Sequence, residues 1–249
     1  MKLINYFLCA CFFISISNVT IARELKSNVI VLVDFSNSYY TPDRKKNDIP
    51  QNIKKLTSVI ASKRDGPEKP LLIQLLPIDS LSQQGKPICE YMLARKGLMM
   101  GGGKKACENY NEGHCSTKPK LFKSYMNKIC KKYINSTPVS GQTDIQGALS
   151  LASQLGTSQT DATKYLVIFS DMFEYRNSKI PVTKVNLTNF HVLVVCGGQV
   201  NSEENVAKFC MGLENKWKSA LSDLGAESVA FTIETGKWDL KVAKEFFSK

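Results

Sequence analysis

The amino-acid sequence predicts an α/β fold, a three-layer sandwich in which helices cover both faces of a mainly parallel central sheet. Three observations carry this expectation. Short, continuous apolar runs rich in β-branched residues recur at residues 28–33 (NVIVLV), 165–169 (YLVIF) and 190–195 (FHVLVV), the pattern of strands buried on both faces. Between such runs lie segments whose apolar residues fall at helical spacing. Strand and helix patterns alternate through most of the 249 residues, as β-α-β units with right-handed crossovers require.

The chain opens on MKLINYFLCACFFISISNVTIA (residues 1–22), with Lys2 ahead of an apolar run that closes on Thr20-Ile21-Ala22, the small-x-small pattern cut by a signal peptidase. Asn5, Ser15, Ser17 and Asn18 interrupt the run and make it a poor permanent anchor. Leu8-Cys9-Ala10-Cys11 could instead be a lipoprotein box with Cys11 lipidated, although Phe12-Phe13-Ile14 would be an unusual start for a mature chain. The expectation is an exported protein, periplasmic or secreted, with no stable membrane span in the mature chain. Residues 23–249 suffice for one domain with a full core.

Within that domain the first strand ends on Asp34. Ile53, Leu56, Val59 and Ile60 recur at helical spacing after Pro50, which predicts a helix crossing over to the next apolar run at 71–76 (LLIQLL). From Pro77 to about Thr117 the pattern fails: Pro, Gly and Cys punctuate it, Gly101-Gly102-Gly103 breaks it, and only 91–93 and 98–100 read as short edge strands. A helix is expected over 120–134, so the insertion covers about 77–135. After a loop at 138–142, Ile145, Ala148, Leu149 and Ala152 set out an i, i+3, i+4, i+7 face; the helix they define starts near Thr143 or Asp144, both suitable caps. The runs at 165–169 and 190–195 follow as strands, the second leading to Gly197-Gly198. Val206, Phe209, Cys210, Leu213, Trp217, Leu221 and Leu224 then mark a long amphipathic helix, 228–233 a last strand and 238–247 a terminal helix.

Cys9 and Cys11 would leave with the signal, so six of the eight cysteines remain: Cys89, Cys107, Cys115, Cys130, Cys196 and Cys210. An even count in an exported chain predicts disulfides, whereas the irregular spacings and the lack of a C-x-x-C pair argue against zinc. Proximity along the chain pairs Cys196 with Cys210 and leaves two bridges among the other four, which would staple the insertion. The formal charge is +11, and Lys2 is the one charge in residues 1–22, so the mature chain keeps +10. Such a surplus favours an acidic surface on a partner. The lysines come in short pairs (Lys45-Lys46, Lys54-Lys55, Lys104-Lys105, Lys131-Lys132) without a long run, which is the pattern of a soluble surface, and nucleic acid is not an expected partner.

In an open α/β sheet, ligands bind beyond the carboxyl ends of the strands, where strand order reverses. Three polar clusters fall at such ends: Asp34-Phe35-Ser36-Asn37-Ser38, Gly141-Gln142-Thr143-Asp144, and Ser170-Asp171. They converge if the strands ending at Asp34 and Asp171 are neighbours. Singly, each cluster is accounted for by strand-end and turn hydrogen bonds. Together, Asp34-x-Ser36-x-Ser38, the loop at Thr143 with Ala148-Leu149 behind it, and Asp171 ending an apolar strand resemble the three elements of the metal-ion-dependent adhesion site (MIDAS) of von Willebrand factor A (VWA) domains. This resemblance implies a Rossmann-like VWA fold and a bound divalent cation, Mg²⁺ with Mn²⁺ or Ca²⁺ as alternatives. It implies Ser36, Ser38 and Thr143 as direct ligands, with Asp34 and Asp171 acting through bound water. Asn37 and Ser170 could line the site, and Asp144 could line it or only cap its helix. The long gap between Ser38 and Thr143, filled by the cysteine-rich segment, departs from the family pattern.

A hard dication wants oxygen ligands in near-octahedral array. Hydroxyls leave it short of negative charge, so it should recruit a carboxylate from a protein partner offering Asp or Glu. The function expected is therefore non-enzymatic: metal-dependent protein-protein interaction or adhesion outside the cytoplasm. The alternative is a metal-dependent hydrolase or phosphatase with Asp34 as nucleophile, which would want a second acid close to Asp34. A serine hydrolase needs a histidine partner; His114 lies in the insertion, His191 inside a predicted buried strand, and no G-x-S-x-G elbow is present. A third reading makes the insertion itself, with Lys86, Arg95, Lys96, Lys104 and Lys105, the contact surface.

Overall fold

The computed structural model describes residues 27–41, 48–63, 71–82, 85–94, 107, 113–158, 162–173, 185–198, 203–234 and 240–248. Residues 1–22, the segment at 98–100, and Arg95, Lys96, Lys104 and Lys105 lie outside them. Seven strands form one sheet: β1 (Ser27–Asp34), β2 (Leu71–Ile78), β3 (Cys89–Leu93), β4 (Cys115–Ser116), β5 (Thr163–Ser170), β6 (Phe190–Cys196) and β7 (Ser228–Ile233). Their order is β4-β3-β2-β1-β5-β6-β7. Among the described strands only the β2–β3 pairing is antiparallel, so the sheet is mainly parallel, as expected. Strand order reverses between β1 and β5.

The helices are α1 (Asp48–Lys63), α2 (Pro119–Tyr125), a π-helical turn (Met126–Cys130), α3 (Lys131–Ser136), α4 (Ile145–Thr157), α5 (Glu203–Asp223) and α6 (Leu240–Phe246). Burial of alternate β1 side chains on opposite faces creates two cores. Val29, Val31 and Val33 meet Ile53, Leu56 and Ile60 of α1 and Phe246 of α6 on one face. Ile30 and Leu32 meet Ile145, Leu149 and Ala152 of α4 and Cys210 and Leu221 of α5 on the other.

Some boundaries differ from the sequence reading. Helix α1 begins at Asp48, ahead of Pro50, because a proline in the first turn gives up an N–H that has no intrahelical partner there. Strand β2 runs through Pro77 to Ile78. Its pairing with β3 stops at Leu75, so the missing N–H of Pro77 falls outside that ladder. The cysteine-rich segment is not separate from the sheet. It supplies the edge strands β3, two residues longer than the expected 91–93, and β4, which pairs with it at Met92 and Leu93. The helix expected over 120–134 runs from Pro119 to Ser136 and changes to π geometry where it carries Cys130. Three disulfides, Cys89–Cys130, Cys107–Cys115 and Cys196–Cys210, use all six expected cysteines. Among the described residues no helix is long and apolar enough to cross a membrane.

Candidate functional site

The parallel pairing of β1 with β5 brings Asp34 and Ser170-Asp171 to one edge of the sheet, at the point of strand-order reversal. Asp34 is fully buried and both of its oxygens are engaged. The Ser36 amide donates to Oδ1 at 2.8 Å, and the Ser170 hydroxyl donates to Oδ2 at 2.6 Å. Burial, and next the charge of Asp171, push the Asp34 carboxyl up to about 7; the hydrogen bonds from Ser170 and Ser36 pull the other way without prevailing. Two carboxylates thus crowd one buried edge.

The loop after β1 is a tight turn whose anchor is apolar. The Ser36 carbonyl accepts from the amides of Tyr39 (3.2 Å) and Tyr40 (2.7 Å). Phe35 and Tyr40, both buried, meet edge to face with centroids 4.5 Å apart. The two residues between Ser36 and Tyr39, Asn37 and Ser38, are left exposed, and the hydroxyls of Ser36 and Ser38 lie 3.1 Å apart.

A second loop joins this one by a parallel bridge between Ser36 and Ser140. Ser140 donates to the Phe35 carbonyl (2.7 Å), and the Asn37 amide donates to the Ser140 carbonyl (3.0 Å). The Ser140 hydroxyl also accepts from the amides of Gln142 and Ser80 at 3.1 and 3.2 Å. Thr143 and Asp144 follow, both buried. Asp144 caps α4, its Oδ1 accepting from the Gly147 amide at 2.8 Å, which is the capping role anticipated for it.

The third loop, after β5, is fixed from outside. Met172 holds a left-handed backbone (φ 58°), an unusual conformation for a side chain of its size. The Trp217 indole of α5 donates to its carbonyl at 3.0 Å and its amide donates to the Ser170 hydroxyl at 2.9 Å. Asp171 Oδ1 accepts from the Phe173 amide at 2.9 Å. Behind this loop runs the chain leaving β6. A Cβ on Gly198 would stand 3.0 Å from the Asp171 Cβ and 3.9 Å from the Ser38 carbonyl oxygen, so glycine is what allows this approach.

The structure therefore links Asp34, Ser36, Ser38 and Ser170 by direct hydrogen bonds, sets Asp171 against Asp34, and carries Thr143 on the loop bridged to Ser36. Sequence reasoning passed over three supports. Glu234, just after β7, accepts from the Tyr39 hydroxyl at 2.9 Å and from the Asn52 side-chain amide, tying the first loop to α1. In the sequence Trp217 is one of the apolar positions of an amphipathic helix, and Gly198 only follows a strand. Glu234 was discoverable as a polar residue closing a strand at the same edge of the sheet; Asn52, inside a helical pattern, carried no such signal. The histidines lie elsewhere: His114 Nδ1 is 3.4 Å from the Tyr125 hydroxyl, and His191, second in β6 and so at the opposite strand end, is 2.9 Å from the Ser228 hydroxyl.

The gathered donors are all oxygens. Among the described residues no group of three or more His, Cys, Asp or Glu side chains could hold a metal, so a cation here would depend on the serine and threonine hydroxyls as well as on two carboxylates. Such a set fits a hard dication and not zinc.

No family model matches the chain, and no curated protein matches it. Solved structures similar to it include a von Willebrand factor type A protein from Catenulispora acidiphila (11% identity, TM-score 0.43, covering 90% of this chain and 41% of that one). The pilus adhesin SpaC from Lactobacillus rhamnosus GG, in its open conformation, matches with 10% identity and TM-score 0.44 over 90% of this chain and 29% of its own. Manganese-loaded TRAP protein from Plasmodium vivax matches with 15% identity and TM-score 0.38 over 76% and 63%. The chain spans less than two thirds of each of these three.

Proposed function

We propose that this chain is a protein-interaction module whose contact with its partner is completed by a divalent cation, Mg²⁺ or in its place Mn²⁺ or Ca²⁺, at the carboxyl edge of the sheet. The observation that carries this reading is the pairing of Asp34 with Asp171 beside the Ser36 and Ser38 hydroxyls. Two buried carboxylates side by side call for a positive charge between them. The 3.1 Å between the two hydroxyl oxygens suits adjacent ligands of an octahedral ion, which with Mg²⁺ bonds of about 2.0–2.1 Å stand roughly 3 Å apart. Ser36 and Ser38, with Thr143 from the bridged loop, would bind the ion directly. Asp34, whose oxygens already accept from Ser36 and Ser170, would act through bound water, as would Asp171. A position left open to solvent would take an Asp or Glu of the partner.

Three observations support the wider reading. Leu81, Val139 and Phe173, all exposed, stand on the loops that meet at the site and would offer the partner apolar contact around its carboxylate. Three disulfides suit an oxidising, exported setting. Against a phosphatase, Asp34 is fully buried with both oxygens hydrogen-bonded, which leaves it no approach to a phosphorus atom.

Isothermal titration of the full chain with Mg²⁺ and Mn²⁺ tests the assignment. Wild type binds, and Ser36→Ala binds at least about tenfold more weakly because a direct ligand is gone. Equal binding by the two proteins would defeat the reading.

A further inference from the structure

Two adjoining recesses lie away from the strand ends, over the helices that cover the first core. One, of about 630 Å³, is lined by Lys54, Lys55, Lys123 and Lys244, with Val59 beneath them. The other, of about 280 Å³, adds Lys131 above an apolar floor of Ile53, Met126 and Ile134. Gln51 and Lys54 border both, so the two form one groove. None of its lining residues belongs to the carboxylate-bearing site.

The sequence pattern explains how it arises. Residues 51, 54, 55 and 58 stand at i, i+3, i+4 and i+7 on α1, a single stripe, while Ile53, Leu56 and Ile60 turn into the core. The pairs Lys54-Lys55 and Lys131-Lys132 looked scattered along the chain. The fold places Lys54 and Lys55 of α1, Lys123 of α2, Lys131 of α3 and Lys244 of α6 around one concavity. Among the described lining residues none is acidic, and several ammonium groups converging on one recess raise the local concentration of anions.

The groove's shape and chemistry choose the anion. From residue 51 to 58, α1 rises about 10 Å, the span of roughly three extended residues. Lysine offers point charges on flexible stems, which accept a carboxylate in any orientation without the planar fork of arginine. The lining residues include no aromatic platform for a nucleic-acid base, and apolar groups on the floor of a recess cannot insert into a flat bilayer. Alternating carboxylates and apolar side chains satisfy both the lysine rim and the floor.

We propose that this lysine-lined groove is a second binding site, which takes a short extended acidic segment of a protein partner independently of any metal at the strand ends. The probe is a fluorescein-labelled hexapeptide of alternating Glu and Leu, titrated by anisotropy with the full chain in EDTA, so that a cation-bridged contact cannot contribute. Binding is expected, falling as NaCl is raised, and absent for the Gln-Leu peptide. The double substitution Lys54→Gln with Lys123→Gln weakens it at least about tenfold, whereas Lys218→Gln on α5, away from the groove, leaves it unchanged. Circular dichroism and thermal melting confirm that the variants are folded. Undiminished binding by the double variant, absence of binding in EDTA, or stronger competition by oligo-dT or phosphatidylserine vesicles than by unlabelled peptide overturns the proposal.

Discussion

Asp34 binds its proton more tightly in the folded chain than a solvated carboxyl does, because it is buried beside Asp171. With the folded value raised to about 7 from an ordinary 3.8, the unfolded chain releases the proton first as pH rises. The contribution to stability is therefore whole below about pH 4 and is lost as pH climbs towards 7. In EDTA, the melting temperature of wild type should fall between pH 5 and 7.5 more steeply than that of Asp34→Asn; parallel pH profiles would show that Asp34 is not the cause. Asn28 is another buried polar residue on β1, fully enclosed, and among the described residues neither of its side-chain polar atoms has a hydrogen-bond partner. An apolar side chain of similar size removes that desolvation cost, so Asn28→Leu should raise the unfolding free energy by about 1–2 kcal/mol in urea titrations. Composition pointed to Asp34 because it ends an apolar run. Nothing in NVIVLV marked its first residue as unpartnered, since that depends on which atoms of neighbouring strands face it.

Helix α4 is seated on β6 by a contact too close for any side chain. A Cβ on Gly156 would stand 2.2 Å from Cζ of Phe190, so Gly156→Ala must displace a buried ring or the helix end. Although alanine is the better helix former, the net change should be destabilising by roughly 1–3 kcal/mol in chemical denaturation. An unchanged midpoint would mean that α4 shifts without resistance. Elements with strong periodicity, including α4, α5, β1, β5 and β6, were legible because burial on one or both faces imposes a pattern on the chain. The beginning of α1, the length of β3 and the π-helical turn were not. Pro50 is a local signal for the start of α1 but fits more than one position of a first turn, and the antiparallel partner that lengthens β3 has no local signature; nothing in the sequence marks the change to π geometry at Met126–Cys130.

Among the described residues one sheet lies between two cores, and its strand β3, next to the β4 edge, is fastened by Cys89–Cys130 to the π-helical turn. That bridge closes a separation of 41 residues, against 14 for Cys196–Cys210 and 8 for Cys107–Cys115. On loop entropy alone it should contribute about 1 kcal/mol more than Cys196–Cys210 and about 1.5 kcal/mol more than Cys107–Cys115. The pair Cys89→Ser with Cys130→Ser should therefore lower the melting temperature more than Cys196→Ser with Cys210→Ser; the reverse order in calorimetry would show that packing beneath Gly197-Gly198, and not chain entropy, dominates. The alternation of strand and helix, the even cysteine count and the polar residues closing β1 and β5 were already determined by the sequence, because periodicity, composition and strand ends are local properties. Which strands are neighbours was left to the tertiary structure. Pairing β1 with β5 set Asp34 against Asp171, a bridge from the loop before α4 brought Ser140 alongside Ser36, and the packing of α1, α2, α3 and α6 drew their lysines around one groove, since proximity between distant residues exists only once the chain has packed.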